Sequence, residues 1–219
     1  MTGEVAGSGL AELRSMVYRV LASALLSPEQ ERLERLVLAA PEFRARSEPL
    51  RGTAPFAGWS ALLERLAATS DEDARRIGED HTTLFVSGAK GSCPPYESSH
   101  SGPDADVGMI AASVDTAYRA SGFVLDADGE APDHVAVELD FLSALCVREA
   151  EATTTTEAED WRRRQHAFLS SHLLRWLPAL VEAVRDARPD GFYADATRVA
   201  LRFAEHDIGV IEALRNDGR

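Results

Sequence analysis

The sequence predicts an all-α protein, a single-domain bundle of many helices. Three observations carry this. Apolar residues recur at spacings of three and four along most of the chain, no stretch alternates as a strand would, and helix-start signals stand between the apolar runs.

Leu10, Leu13, Val17, Val20 or Leu21, and Ala24 fall on one face of a first helix that stops at Ser27-Pro28. Ser27 is expected to cap the next helix, with Pro28 at N1 and Gln30 at N3, and that helix should run to about Ala40. Pro41 to Pro55 holds three prolines and a glycine and reads as an irregular connection. Phe56 to Thr69 resumes the helical pattern, with Leu62, Leu63 and Leu66 inward. Ser70 caps a further helix from Asp71 to about Phe85, whose first-turn acids suit the helix dipole.

Residues 86–104 break the pattern with three glycines and three prolines, and a long loop inside a compact domain is usually functional or mobile. Asp106 to Ser121 is helical again, and Gly122 to Glu130 is a short connection. Pro132 opens a strong helix with Val135, Leu139, Leu142 and Cys146 on one stripe. After a polar break at Thr153 to Thr156, Thr156 and Glu159 form a capping box. A helix from Trp161 to Trp176 follows, Pro178 kinks or restarts it, and Leu180 to Ala187 continues it. The last helix spans about Phe192 to Leu214. Tyr18, Trp59, Trp161 and Trp176 sit at apolar-stripe spacing and are expected in the core. The organisation expected is a flexible N-terminus at 1–9, one all-helical domain at 10–214 with its long loop at 86–104, and a tail at 215–219.

The chain has 219 residues with 23 basic and 36 acidic side chains, a net charge of −13. Nucleic acid is thereby disfavoured as a partner, because a phosphate backbone needs a basic face. Cys93 and Cys146 do not read as a disulfide framework, MTGEVAGSGL does not read as a secretory signal, and no apolar run is long enough to span a membrane. A cytoplasmic location without stable membrane insertion is expected. From Asp126 to Asp160 the sequence holds eleven acids and one base, Arg148. That segment is either a solvated acidic face or a receptor for a basic peptide.

Within it, His134 and Glu138 stand four apart and would share a helix face beside Asp133. Three roles are open to them: a polar lock, two ligands of a metal completed by His81, His100, Asp80 or Glu97, or part of a binding surface. Gly88-Ala89-Lys90-Gly91-Ser92 lacks the order of a phosphate-binding loop. Ser98, Ser99 and His100 lack a nucleophile elbow, and nothing marks Cys93 as a lowered-pKa thiol. Pro94-Pro95-Tyr96-Glu97-Ser98 reads either as an interaction segment, with a stiffened backbone and an amphipathic tyrosine, or as a core plug with Glu97 at a helix end.

These segments resemble the TorD/DmsD/NarJ family of molybdoenzyme maturation chaperones. The resemblance rests on Ala131-Pro132-Asp133-His134-Val135-Ala136-Val137-Glu138-Leu139, on Leu84-Phe85-Val86 followed by Pro94-Pro95-Tyr96-Glu97-Ser98, and on Val17-Tyr18-Arg19-Val20-Leu21-Ala22 and Phe168 to Leu177. It covers roughly residues 10–210, and Ala131 stands where the family often has an acid. It implies a TorD-like all-α fold, no catalytic activity and no cofactor. It also implies a partner: the apo catalytic subunit of a molybdopterin-containing oxidoreductase, held by its N-terminal signal segment, often of the twin-arginine type, until the cofactor is inserted. The residues expected to contact signal peptide and client are Phe85, Pro95, Tyr96, Glu97, Ser98, Asp133, His134 and Glu138, with Asp133 and Glu138 meeting arginines. The protein would be a monomer or homodimer. The alternatives are a metal-dependent hydrolase built on His134 and Glu138, and a general acidic helical adaptor.

Overall fold

A helix buried on nearly every side must be wrapped by others. α1 (Ser8–Leu25) is such a helix, buried from Ala11 almost continuously to Leu25 rather than along one face. Its neighbours are α2 (Gln30–Arg46) and, later in the chain, α7 (Val135–Ala150) and α10 (Phe192–Asp217). Between them run α3 (Phe56–Ala67), α4 (Asp71–His81), the short α5 (Glu97–His100) and α6 (Val107–Ala120). α8 (Thr155–Phe168) and α9 (Leu174–Ala187) are joined by a π-helical turn at Leu169–Leu173, and a second π-helical turn, Thr82–Val86, extends α4. This computed structural model describes residues 8–89, 91–126 and 129–217, and among them the fold is all-α. The expected flexible N-terminus falls at 1–7 outside the described residues, while Ser8 and Gly9 already belong to α1. Of the expected tail, 215–217 belong to α10 and 218–219 lie outside the described residues.

Several boundaries depart from the sequence reading. Ser27 is not a cap: α2 starts at Gln30 after Glu29, and the Ser27 carbonyl instead accepts from the Glu29 N–H at 2.8 Å. α2 does not stop at Ala40 but runs through Pro41 to Arg46, because Leu33, Leu36, Ala40 and then Phe43 all pack inward. The N-cap of α8 is Thr154, two residues earlier than expected, accepting from the Glu157 N–H at 3.2 Å, and the expected box is not closed because the Glu157 carboxylate accepts from the Thr153 N–H at 3.0 Å instead. The Ser70 cap stands as read, closed reciprocally with Asp73. Pro178 does not break its helix. The widened π turn ends at Leu173, just before Leu174, whose carbonyl lacks the N–H that Pro178 cannot supply.

Four helices are tied together by ions the sequence reading missed. Arg14 of α1 donates to Glu149 of α7 at 2.7 Å, to Asp207 of α10, and to Gln165 of α8. Arg162 reaches the other Glu149 oxygen at 2.6 Å, and the Tyr18 hydroxyl donates to Asp207 at 2.8 Å. Arg14, Glu149, Arg162 and Asp207 are all buried, two cations against two carboxylates. The signal available was an arginine inside the apolar register of α1, between Leu13 and Val17. Trp59 and Trp176 are fully buried as expected, and Trp161 packs at the margin.

Candidate functional site

The loop 94–98 and the turn before α7 fold onto each other. The Glu97 N–H donates to the Asp133 carbonyl and the Val135 N–H to the Pro95 carbonyl, both at 2.8 Å, so Tyr96 and His134 face one another as a single antiparallel bridge. Their rings meet edge to face at 5.2 Å between centroids. Proline at 95 has no N–H to waste there, and its carbonyl is free to accept. Asp133 Oδ2 accepts from the Ser98 N–H at 3.1 Å, so Asp133 satisfies an orphan donor at the start of α5. Tyr118 of α6 closes the far side, its hydroxyl donating to the Pro132 carbonyl at 2.7 Å.

His134 is not the first residue of a helix face shared with Glu138. It is the N-cap of α7, with Nδ1 accepting from the Ala136 N–H at 3.1 Å. The helix therefore opens at Val135 and not at Pro132. Burial of the imidazole pulls its pKa down to about 4, against the opposing pull of Glu130. A neutral ring with one nitrogen already occupied is a cap, and the metal reading of His134 with Glu138 loses its first ligand. The pair's side chains also go to different partners. Glu138 receives the Trp176 indole N–H at 3.2 Å and lies against the Glu97 carboxyl. Full burial, and then Glu97, push its pKa well above the usual carboxylate range. Glu97 turns its other side to His172, whose Nδ1 is 3.0 Å from Oε2.

The site residues expected from sequence thus fall into two groups. Pro95, Tyr96, Glu97, Ser98, Asp133, His134 and Glu138 form one corner. Phe85 sits in an adjoining aromatic cluster with His81 and Tyr193, at 5.3 and 5.0 Å between centroids. Asp133 and Glu138 are 2% and 0% exposed, so neither carboxylate reaches the surface in this conformation. Among the described residues, the acids of 126–160 do not form one face: Glu149 is bound inside by Arg14 and Arg162, and Asp160 pairs with Arg163 and Arg164. Cys93 is buried and its thiol pKa raised by that burial, so it is no reactive thiol.

The surface beside the corner is a cavity of about 660 Å3 between α5, α6 and the α8–α9 junction. The sequence reading did not identify it, because its parts are far apart in the chain. Glu97 and His172 line its floor, Asp104 and Asp106 one wall, and Met109 and Ile110 bring apolar surface, with Arg175 at the edge. Met109, which lines the cavity, is 72% exposed, a large apolar side chain held in solvent. His100 stacks on Trp176 at 5.7 Å and carries the wall from the loop to the indole that holds Glu138.

The sequence profile of the nitrate reductase delta subunit family matches residues 53–182. The chain is 32% identical over 148 residues to the chaperone protein TorD of Aeromonas salmonicida, a match covering 66% of this chain and just under two thirds, 65%, of that protein. It is 30% identical over 156 residues to the chaperone protein TorD of Vibrio cholerae, covering 70% of this chain and 71% of that one. Among solved structures, a candidate redox enzyme maturation protein from Archaeoglobus fulgidus superposes with a TM-score of 0.51 at 20% identity, covering 88% of this chain and 93% of that one, which bears on the fold alone. The matched region contains the loop at 94–98 and the α7 cap, and the chain belongs to the nitrate reductase delta subunit family, the TorD/DmsD/NarJ family of maturation chaperones.

Proposed function

We propose that the protein is a chaperone for molybdoenzyme maturation, binding the N-terminal signal segment of an apo molybdopterin oxidoreductase subunit. In this reading it holds the subunit for cofactor insertion before assembly or export. One observation carries it: a cavity in which carboxylates and exposed apolar side chains stand side by side. A twin-arginine signal places adjacent guanidiniums ahead of an apolar stretch, and a receptor for it needs both surfaces in that order. Asp104 and Asp106 are the acids offered to the guanidiniums, with Glu97 buried behind them on His172, and Met109 and Ile110 are the apolar surface. Asp133, His134 and Glu138 act from inside as positioning residues, holding the loop that presents Tyr96 and Glu97. Tyr96 and Glu130 bound the outer side of the corner, their side chains 3.5 Å apart.

The test is a calorimetric titration of the protein with the client subunit's N-terminal peptide and with the same peptide carrying glutamine for both arginines. Asp104→Asn with Asp106→Asn should weaken the native peptide by roughly tenfold or more, the scale of one lost charge-assisted hydrogen bond, and leave the glutamine peptide unchanged. Asn at 106 keeps the cap that Asp106 gives the Met109 N–H at 3.0 Å, so α6 stays intact. Equal affinity of the native peptide for both proteins would remove this cavity from the reading.

A further inference from the structure

A second groove lies on the other side of the bundle, between α1, α2 and the end of α7, with a volume of about 600 Å3. Its floor is apolar: Met16, Val20, Leu36 and Phe43. Its rim is the reverse of the rest of the molecule. Arg19, Arg32, Arg35 and Arg46 line it, against two carboxylates, Glu12 and Glu151, in a chain of net charge −13.

Three of the four rim guanidiniums, Arg19, Arg35 and Arg46, are weakly engaged. Arg32 is more firmly held, donating to the Ser27 carbonyl and lying 3.4 Å from Glu29, whereas Arg35 and Arg46 lie 3.5 and 3.9 Å from carboxylates one turn away on the exposed surface of their own helix. Pairs of this kind contribute little and are readily exchanged for a better acceptor. Arg19 is exposed and makes no ion pair among the described residues, although Asp140 feels its charge. Phe43 is only partly buried, although it is the largest apolar side chain on the floor.

We propose that this groove docks an acidic amphipathic helix of a partner protein, its apolar stripe on the Met16–Phe43 floor and its carboxylates on the four arginines. Charge complementarity selects the occupant. An apolar strip between helices suits a helix laid in a groove. The arginine rim accepts carboxylates in bidentate geometry and repels a basic segment such as a twin-arginine signal. The groove therefore differs in sign from the cavity at α5 and α6, and the two surfaces would hold different segments without competing. The inference does not depend on the signal-peptide reading.

The probe is a labelled synthetic peptide of about five helical turns, with leucine at helix-stripe positions and glutamate flanking them, followed by fluorescence anisotropy. Two companions carry glutamine or lysine in place of glutamate. The glutamate peptide should bind, the glutamine peptide should bind about tenfold more weakly, and the lysine peptide should not bind at this groove. Arg19→Glu with Arg35→Glu should lose the glutamate peptide and gain the lysine peptide, with an unchanged thermal melt and unchanged affinity for the signal peptide. If that variant fails to fold, Arg19→Gln with Arg35→Gln should lose about tenfold in affinity for the glutamate peptide. Equal binding of glutamate and glutamine peptides, or an Arg variant that binds like the wild type, overturns the proposal. So does arginine-dependent binding to anionic vesicles with none to the peptide, which would make the groove a membrane contact. A dimer that dissociates in the Arg variant would assign the groove to a second copy and overturns it equally.

Discussion

Glu138 and Glu149 stand on the same helix, both buried, and meet opposite treatment. Glu149 is clasped by Arg14 and Arg162 and receives the Gln165 amide at 2.9 Å. Glu138 has the Trp176 indole and another carboxyl, Glu97, and no arginine or lysine partner among the described residues. A buried carboxylate clasped by two guanidiniums acts as a fixed lock between helices. One without them keeps its proton, and the proton makes the packing conditional on pH. Strongly perturbed groups of the second kind collect at functional sites, and this one lies beneath the cavity of the proposed function.

The lock should give the larger effect. Arg14→Met leaves Asp207 in the interior with the Tyr18 hydroxyl and no cation, and leaves Glu149 to Arg162 and Gln165, which costs about 3–5 kcal/mol. In a chain of this size that is a fall in Tm of roughly 10 °C or more, read by circular dichroism. A loss under about 1 kcal/mol would show that the four helices are not coupled through this network, and the contrast with Glu138 would fail.

The corner should respond to pH instead. Glu138 has a folded pKa above its unfolded value of about 4.3, so its stabilisation is complete below that pH and is lost as pH rises through the folded pKa. Glu138→Gln keeps a hydrogen-bonding group of the same shape without the titration. Its stability relative to wild type should grow with pH, by up to about 1.4 kcal/mol per unit, in urea melts taken between pH 5 and 9. His134 has the opposite sign: its folded pKa of about 4 lies below the unfolded value near 6.5, so its contribution is present above 6.5 and is lost as pH falls towards 4. Between about pH 4.3 and 6.5 the two slopes oppose one another. Glu138→Gln should therefore steepen the acid limb, and a variant whose acid limb is no steeper than wild type would mean that Glu138 is ionised in the fold.

The two regions were also unequally legible in the sequence. Helix periodicity located almost every helix, because burial of apolar stripes is a local, repeating signal. It failed where tertiary packing overrides local punctuation: Phe43 keeps α2 helical beyond Pro41, and the π turn at Leu169–Leu173 carries the chain past Pro178. The corner was legible as Pro95-Tyr96-Glu97-Ser98 and Asp133-His134 with Glu138, since these are short runs of unusual residues. Their depth was not, because nothing local says that Asp133 turns to the Ser98 N–H and Glu138 to Trp176. The lock was invisible for the same reason in stronger form: Arg14 and Asp207 are 193 positions apart.

The smallest expected effect separates two accounts of His134. As the N-cap of α7 it supplies an acceptor to the Ala136 N–H, and Asn is among the best residues for that position. At pH 8 the ring is neutral in both folded and unfolded chains, so its titration drops out of the comparison. His134→Ala should then cost about 1 kcal/mol in a urea melt and His134→Asn a few tenths. Cap loss loosens the pairing of 94–98 with 132–135, so signal-peptide affinity should fall in the Ala variant and recover in the Asn variant. If both variants lose the peptide alike while Asn restores stability, the imidazole touches the ligand itself. The corner is then a contact surface as well as the frame behind one.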